Sequence, residues 1–346
     1  MKSITTNLFV LFVIFLITYP LFYFAYKYLD PYLISRDLDH YLGMYQRFDM
    51  KGTETPFNTR LISSYLVYII SKSNFYYDTE LVFNSNLVSP QIYFSAFFVS
   101  YVFFVFTIFI VYRLFYQLSE NMLLTTTMVF IYFVSFGNFV FSLTPLTDSC
   151  GYFLGALATY AFVRKSKWLW PILVLAIIQR EYILLGFGLR SSFNLLFVKD
   201  AKKFYLITFI ICISAFALYI VLRKVFLYTP KYDSQLKLNE FLGRLISPNT
   251  NWLDFIKQTF LTQNTLFMYF ALLVYKRFKK LSLNVTDFAL TLLLLAEVVF
   301  FCLAGNLGNN GGRYFHLFTP LLVYFIYKEL QTFTKSRALD PIDSKS

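Results

Sequence analysis

Long apolar runs separated by short polar segments dominate the pattern of this 346-residue chain. A helix needs about 20 mostly apolar residues to cross the hydrocarbon core of a bilayer. Runs of that length predict membrane spans at 7–29, 91–112, 121–141, 204–222, 285–304 and 314–331. The first run is too long for the apolar part of a signal peptide and no small-x-small cleavage site follows it, so we expect a retained anchor.

Composition agrees with this pattern, because 58% of the residues are hydrophobic and only 14% are charged. Such values are typical of integral membrane proteins. The three cysteines, Cys150, Cys212 and Cys302, lie in or beside apolar runs and lack the spacing of a disulfide framework or a metal cluster. The predicted fold is therefore a single all-α membrane domain covering residues 1–346.

The net charge of +12 lies in short clusters between the apolar runs. This placement argues against nucleic acid as a partner and indicates cytoplasmic loops by the positive-inside rule. The clusters are 164–167, 199–203, 276–280 and the C-terminal group Lys328, Lys335 and Arg337. For them to share one side, residues 168–198 must cross outward and return, which predicts two short helices, 168–180 and 182–198, with a turn around Arg180.

The resulting topology has about ten transmembrane or partly spanning helices, with both termini and the tail 332–346 in the cytoplasm. It places four loops outside: 30–90, 142–149, 223–263 and 305–313. The long loop 223–263, which carries Trp252, is expected to cover a substrate entrance because its length exceeds that of a simple connection.

Most polar residues of chemical interest fall at this outer face. Charges within apolar segments are costly in lipid, so we expect them to share a protein-lined cavity. The candidate catalytic residues are Asp37 and Asp39, and the candidate substrate-binding residues are Tyr41, Arg60, Asp148, Arg180, Glu181, Arg313 and His316. The alternative is a set of unrelated interface anchors and helix-packing ion pairs.

Asp37 and Asp39 begin a segment with an amphipathic pattern through Tyr41. Carboxylates two positions apart diverge on a helix. The pair is therefore one catalytic and one structural residue, or a loop chelate for a divalent cation such as Mg²⁺ or Mn²⁺. A helix N-terminal charge with a solvated neighbour is the alternative.

The remaining candidates lie in short motifs. Residues 56–71 predict a helix at the outer interface, on which Arg60 either binds phosphate or extends to the lipid surface. Thr147 or Asp148 either caps a helix or faces the cavity. Arg180 and Glu181 interrupt an apolar stretch and need a buried partner or ligand.

Three further residues complete the polar positions considered. Glu297 is a lone acid within an apolar run, interpreted as a structural partner of Arg180 or Arg313. Arg313 and His316 follow a Gly- and Asn-rich loop and share a helix face at a spacing of three residues. Free backbone amides beside a guanidinium suit an anionic ligand, whereas a flexible hairpin with an interface Arg is the alternative.

The motifs DLDHY, PFNTRL, LTPLTDS, QRE and GGRYFHLFTP occur in this order over most of the chain. Together they resemble the polytopic GT-C glycosyltransferases. The resemblance implies a polyprenyl-phosphate sugar as donor, a glycan or lipid as acceptor, and inverting transfer on the outer face of a bacterial inner membrane. It implies Asp37 or Asp39 as base and Arg60, Arg180 or Arg313 as phosphate ligands. This family usually has adjacent Asp and Glu, and the D-x-D here leaves the base unassigned.

Two other classes fit some of the same residues. Cys150, Arg180 and His316 would suit an exosortase-like transpeptidase, because a Cys beside a His can form a thiolate nucleophile. A transporter or flippase for a lipid-linked or anionic substrate would use the polar cavity without chemistry, although no inverted repeat is evident.

Overall fold

The described part of the chain is built from helices and turns. The computed structural model describes residues 2–28, 37–54, 57–76, 88–119, 121–225, 262, 264–279, 296 and 315–339. Its α-helices in chain order are α1 (Lys2–Tyr28), α2 (Asp37–Arg47), α3 (Leu61–Ser71), α4 (Pro90–Ser119), α5 (Met122–Phe133), α6 (Phe136–Phe141), α7 (Asp148–Val163), α8 (Leu169–Ala176), α9 (Tyr182–Phe197), α10 (Lys202–Val225), α11 (Asn264–Phe278) and α12 (Thr319–Leu339). Short 3-10 helices, Phe57–Thr59 and Phe315–Phe318, precede α3 and α12.

Three of the described helices are long and apolar enough to cross a bilayer: the Ile4–Tyr28 part of α1, all of α4, and all of α10. They match the predicted spans 7–29, 91–112 and 204–222. Helix α4 is the centre of the fold, since it packs against α1, α3, α5 and α7. The predicted span 285–304 lies outside the described residues apart from Ala296.

The predicted span 121–141 is not one helix. Helix α5 ends at Phe133 and α6 begins at Phe136, with Ser135 extended between them. The break is stabilised by Asn264 of α11, whose Oδ1 accepts from Phe136 N (3.1 Å) and whose Nδ2 donates to Val134 O (3.0 Å). A side chain that bonds the freed backbone groups allows a helix to break within an apolar region.

Residues 168–198 form the pair of short helices that the charge pattern predicts. Helix α8 has only 8 residues and is therefore about 12 Å long. Gln179, Arg180 and Glu181 lie in the turn between α8 and α9. A short link then joins α9 to α10, and these two helices pack as an antiparallel hairpin. The start of α9 consequently lies near the end of α10.

The last helix differs from the prediction at both ends. Residues 315–318 form a 3-10 helix, and α12 extends to Leu339. The segment predicted as a tail at 332–346 is therefore helical over its first eight residues. Helices α11 and α12 pack together, and Lys276 and Glu329 form a buried ion pair between them (2.5 Å).

Contacts between helix ends agree with an alternating, antiparallel order. Arg113 near the end of α4 donates to Asn7 near the start of α1 (2.6 Å). Gln117 near the same end bonds Arg164, which follows α7. The opposite end of the bundle gathers the first turn of α7 and the turn between α8 and α9. The helices thus present two distinct polar ends, one of which contains most of the predicted site.

Candidate functional site

Arg60 and Glu181 form a buried, two-point ion pair. Arg60 lies between the 3-10 helix and α3, and its Nη1 and Nη2 donate to the two carboxylate oxygens of Glu181 (Nη2 to Oε1, 3.2 Å). The residues are 2% and 5% exposed. Burial lowers the pKa of the Arg60 guanidinium, but the charge and hydrogen bonds of Glu181 outweigh this effect and raise the pKa above its ordinary value. Arg60 is therefore a permanent buried cation.

Gln179 fastens α3 to the turn beside that ion pair. Its Oε1 accepts from Ser63 N (3.2 Å), and its Nε2 donates to Ser63 Oγ (2.9 Å) and to Thr147 O (3.1 Å). Arg60 Nη1 also donates to the Gln179 carbonyl (2.7 Å). Gln179 was not predicted from the sequence as a site residue, although it lies in the QRE motif. Its role here is to position Arg60.

Arg180, the neighbour of Glu181 in sequence, has a different partner. Its Nη2 donates to Asp148 Oδ1 (2.5 Å) and to Thr147 Oγ1 (3.2 Å) at the start of α7. A Cβ at Gly151 would lie 2.6 Å from Arg180 Cγ, so the glycine makes room for this approach. Thr147 occupies the N-cap position of α7 but makes no side-chain cap bond there.

Helix α2 reaches the same network through Tyr41, whose hydroxyl bonds Thr147 Oγ1 (2.8 Å). Asp37 and Asp39 occupy the first turn of α2, where Asp37 is partly buried and Asp39 is exposed. Asp37 lies one helical turn before Tyr41, and Tyr41 is held by Thr147 rather than by Asp37. The partly buried carboxylate thus lies beside the network, whereas Asp39 faces solvent.

Helix α10 adds two residues that the sequence analysis missed. Tyr219 is buried and close enough to Arg60, Glu181 and Arg223 to interact with all three electrostatically. Arg223 is 3% exposed and its Nη1 donates to the Tyr219 hydroxyl (3.3 Å). Within the described residues, its Nε and Nη2 are buried without a hydrogen-bond partner. A cation in the last turn of a span usually indicates an interface anchor. Only its burial distinguishes Arg223 from such an anchor.

His316 is buried next to this network. It lies in the 3-10 helix before α12, and its ring packs so closely on Gly137 that a Cβ there would be 1.7 Å from the imidazole Cγ. The rings of Phe141 and Tyr152 surround it at 5.9 and 6.4 Å. Arg313 and Glu297 lie outside the described residues, so the predicted shared face of Arg313 and His316 is not described.

The arrangement of the described residues gives little support to the thiol and metal chemistries considered from the sequence. Cys150 is 1% exposed and makes no hydrogen bond to Arg180 or His316, all three being described residues. Reactive thiolates are usually partly exposed. Asp37 and Asp39 lie on a helix and diverge, so they do not form a loop chelate. Elsewhere in the described chain no group of three or more His, Cys, Asp or Glu could hold a metal ion.

The fold and its buried charges define the class of this chain as an α-helical membrane protein with a polar centre at one end of its helices. The centre contains Arg60, Glu181, Arg180, Asp148 and Arg223, joined through hydroxyl and amide side chains. No family model, curated protein or solved structure matches the chain.

Proposed function

We propose that this protein is a membrane glycosyltransferase of the GT-C type. It transfers a sugar from a polyprenyl-phosphate-linked donor to a glycan or lipid acceptor, with inversion at the anomeric carbon. The reaction takes place on the extracytoplasmic face of a bacterial inner membrane, at the end of about ten helices where Arg60, Arg180 and Arg223 meet. Asp37 is the general base.

An excess of buried positive charge is the observation that carries this proposal. Three buried guanidinium groups lie around only two buried carboxylates, Glu181 and Asp148. Arg223 keeps two buried donors without a partner in the described chain. Unsatisfied buried donors are rare and need an explanation, such as a bound anion. A sugar-linked lipid phosphate supplies negative charge and several acceptor oxygens at once.

The carboxylate proposed for transfer is that of Asp37, one helical turn before Tyr41, which bonds Thr147 of this network. The acceptor hydroxyl attacks the anomeric carbon while Asp37 takes its proton, and the bond between that carbon and the phosphate oxygen breaks. The electron pair leaves with the lipid phosphate, whose growing charge is stabilised by the fixed guanidinium groups. This reaction uses no metal ion. The proton of the acceptor ends on Asp37, and the electron pair of the broken bond leaves with the lipid phosphate.

Asp37 suits the base role better than Asp39. It is partly buried, while Asp39 is exposed on the other side of the same helical turn. A base must lie within hydrogen-bond reach of the proton that it removes, and Tyr41 anchors this turn of α2 to the network through Thr147. Asp39 is then expected to contribute to binding or solvation.

The test is release of lipid phosphate when the purified protein meets a panel of polyprenyl-phosphate sugars and extracted envelope acceptors. Asp37→Asn should abolish transfer, because Asn keeps the size but cannot accept the proton, and Asp39→Asn should weaken it only partly. Asp49→Asn is the matched control, since Asp49 lies in the same external segment and bonds only the backbone of Gly52 in its turn.

The outcomes separate the candidate classes. Full transfer in both Asp37→Asn and Asp39→Asn would contradict the base assignment and favour a transporter. Release of no lipid phosphate from any donor by the wild-type protein would contradict the enzymatic proposal as a whole.

A further inference from the structure

A cavity lies at the opposite end of the bundle from the centre formed by the buried ion pairs. Its volume is about 590 Å³, and its lining combines Leu114, Tyr116, Gln117 and Leu118 at the end of α4 with Arg164 after α7. Ligand sites commonly have volumes of about 300–1,000 Å³. The cavity is far along α7 from Asp148, so it is separate from the site described above.

Arg164 is held with one edge of its guanidinium directed away from the protein network. Its Nη1 donates both to Gln117 Oε1 and to the Tyr160 hydroxyl (2.8 Å), and the Tyr160 hydroxyl donates to the same Gln117 oxygen (2.8 Å). The guanidinium carbon lies 5.5 Å from the Tyr160 ring centre. Within the described chain, Nε and Nη2 make no hydrogen bond. That pair of donors has the geometry that binds phosphate at two points.

The segment directly after Arg164 carries two further cations. Helix α7 ends with Ser166 N bonding Ala161 O (2.8 Å) and Lys165 N bonding Phe162 O (3.0 Å). At this C-terminal end of α7, the backbone of Lys165 adopts the left-handed conformation (φ 52°), where glycine is usual. A lysine there adds an exposed cation at an energetic cost. Lys167 is exposed as well, and Trp168 is 75% exposed.

We infer that this cavity binds the headgroup of an anionic phospholipid. Arg164 Nε and Nη2 bond the phosphate, Lys165 and Lys167 supply further positive charge, and Leu118 contacts the upper acyl chains. Trp168 suits the headgroup region, where tryptophan is enriched. Basic pockets between membrane helices are known to select anionic headgroups. A free phosphate ion would use the same donors but not the apolar side of the cavity.

The test is binding of phosphatidylglycerol to the full chain purified in a neutral detergent, measured by native mass spectrometry as lipid is titrated. Arg164→Gln should reduce the apparent affinity about tenfold, and Arg164→Lys should lose several-fold because a lysine cannot bond at two points. Lys203→Gln is the matched control: it removes an exposed cation in the first turn of α10 that is not among the lining residues, and should stay within about twofold.

Lys165→Gly provides a readout that a purely structural role would not give. It relieves the left-handed strain, so the protein should unfold at a higher temperature while phosphatidylglycerol binds more weakly. Unchanged affinity in Arg164→Gln, or a loss no larger than that in Lys203→Gln, would overturn the assignment. Displacement of the lipid by an equal concentration of inorganic phosphate would show a phosphate ion site instead, and equal binding of phosphatidylcholine would show no selectivity for anionic lipid.

Discussion

Replacement of Glu181 by Gln tests whether the Arg60–Glu181 pair holds α3 to the bundle. The substitution keeps the side-chain size but leaves the Arg60 guanidinium buried without its counter-ion. Both residues are almost fully buried, at 2% and 5% exposure. Loss of one partner from a buried ion pair costs about 3–5 kcal/mol.

The double variant Arg60→Met with Glu181→Leu distinguishes an uncompensated charge from a loss of packing. It removes both desolvation penalties, and the main remaining loss is the hydrogen bond from Arg60 to the Gln179 carbonyl. A bond of this kind contributes about 1–3 kcal/mol. We therefore expect the double variant to be more stable than Glu181→Gln alone.

The assay is equilibrium unfolding of purified protein in mixed micelles, followed by far-ultraviolet circular dichroism. Glu54→Gln is a suitable control, because Glu54 pairs with His40 at 29% exposure and should cost less than about 1 kcal/mol. A cost below about 1 kcal/mol for Glu181→Gln, or a double variant that is no more stable than Glu181→Gln, would refute a tightly coupled buried pair.

Two further predictions follow from packing and charge. Gly155→Ala should destabilise the protein by about 1–3 kcal/mol, because the new Cβ would lie 2.3 Å from the backbone oxygen of Leu317; Gly188→Ala, with a nearest contact of 3.3 Å, should cost far less in the same unfolding assay. An impermeant thiol reagent should label a single cysteine at Met50 from outside but not one at Ser166, and the reverse pattern would invert the proposed topology.

The long helices α1, α4 and α10 were predictable because hydrocarbon thickness imposes a length that apolar runs reveal directly. The pair of short helices α8 and α9 was predictable for another reason: flanking cationic clusters had to share one side. Neither signal depends on which helix packs against which. Both predictions can therefore be made without any knowledge of tertiary contacts.

The break between α5 and α6 could not be predicted in the same way. The run 121–141 is mostly apolar, and the groups freed at Val134 and Phe136 are satisfied by Asn264, about 130 residues later in the chain. Local sequence predicts a helix here because the cost of breaking it is removed only by that distant side chain.

The ion-pair partners within the site could not be predicted from the sequence either. Arg180 and Glu181 are adjacent and of opposite charge, yet each pairs with a residue from a different element, Asp148 and Arg60 respectively. Neighbouring side chains on this turn point apart, so sequence adjacency indicated a need for partners without identifying them. Arg223 was overlooked since a cation at the end of a span is ordinary.

The polar contacts of this centre link four elements in series. Tyr41 joins α2 to α7, Asp148 joins α7 to Arg180, and Glu181 joins the same turn to Arg60 beside α3. Each contact links two elements, and lipid offers no water to replace a lost bond. Structural attachment therefore explains the four charges that pair with one another.

Structural attachment does not explain Arg223. Its Nη1 bonds Tyr219, but its other buried donors have no partner in the described chain, and a solely structural cation would be better replaced by an apolar residue. Arg60 Nε and Arg180 Nε are also buried without a partner in the described chain, so each of the three guanidinium groups keeps a donor that suits an anion. Asp37 lies on α2, which the bond between Tyr41 and Thr147 holds to this centre.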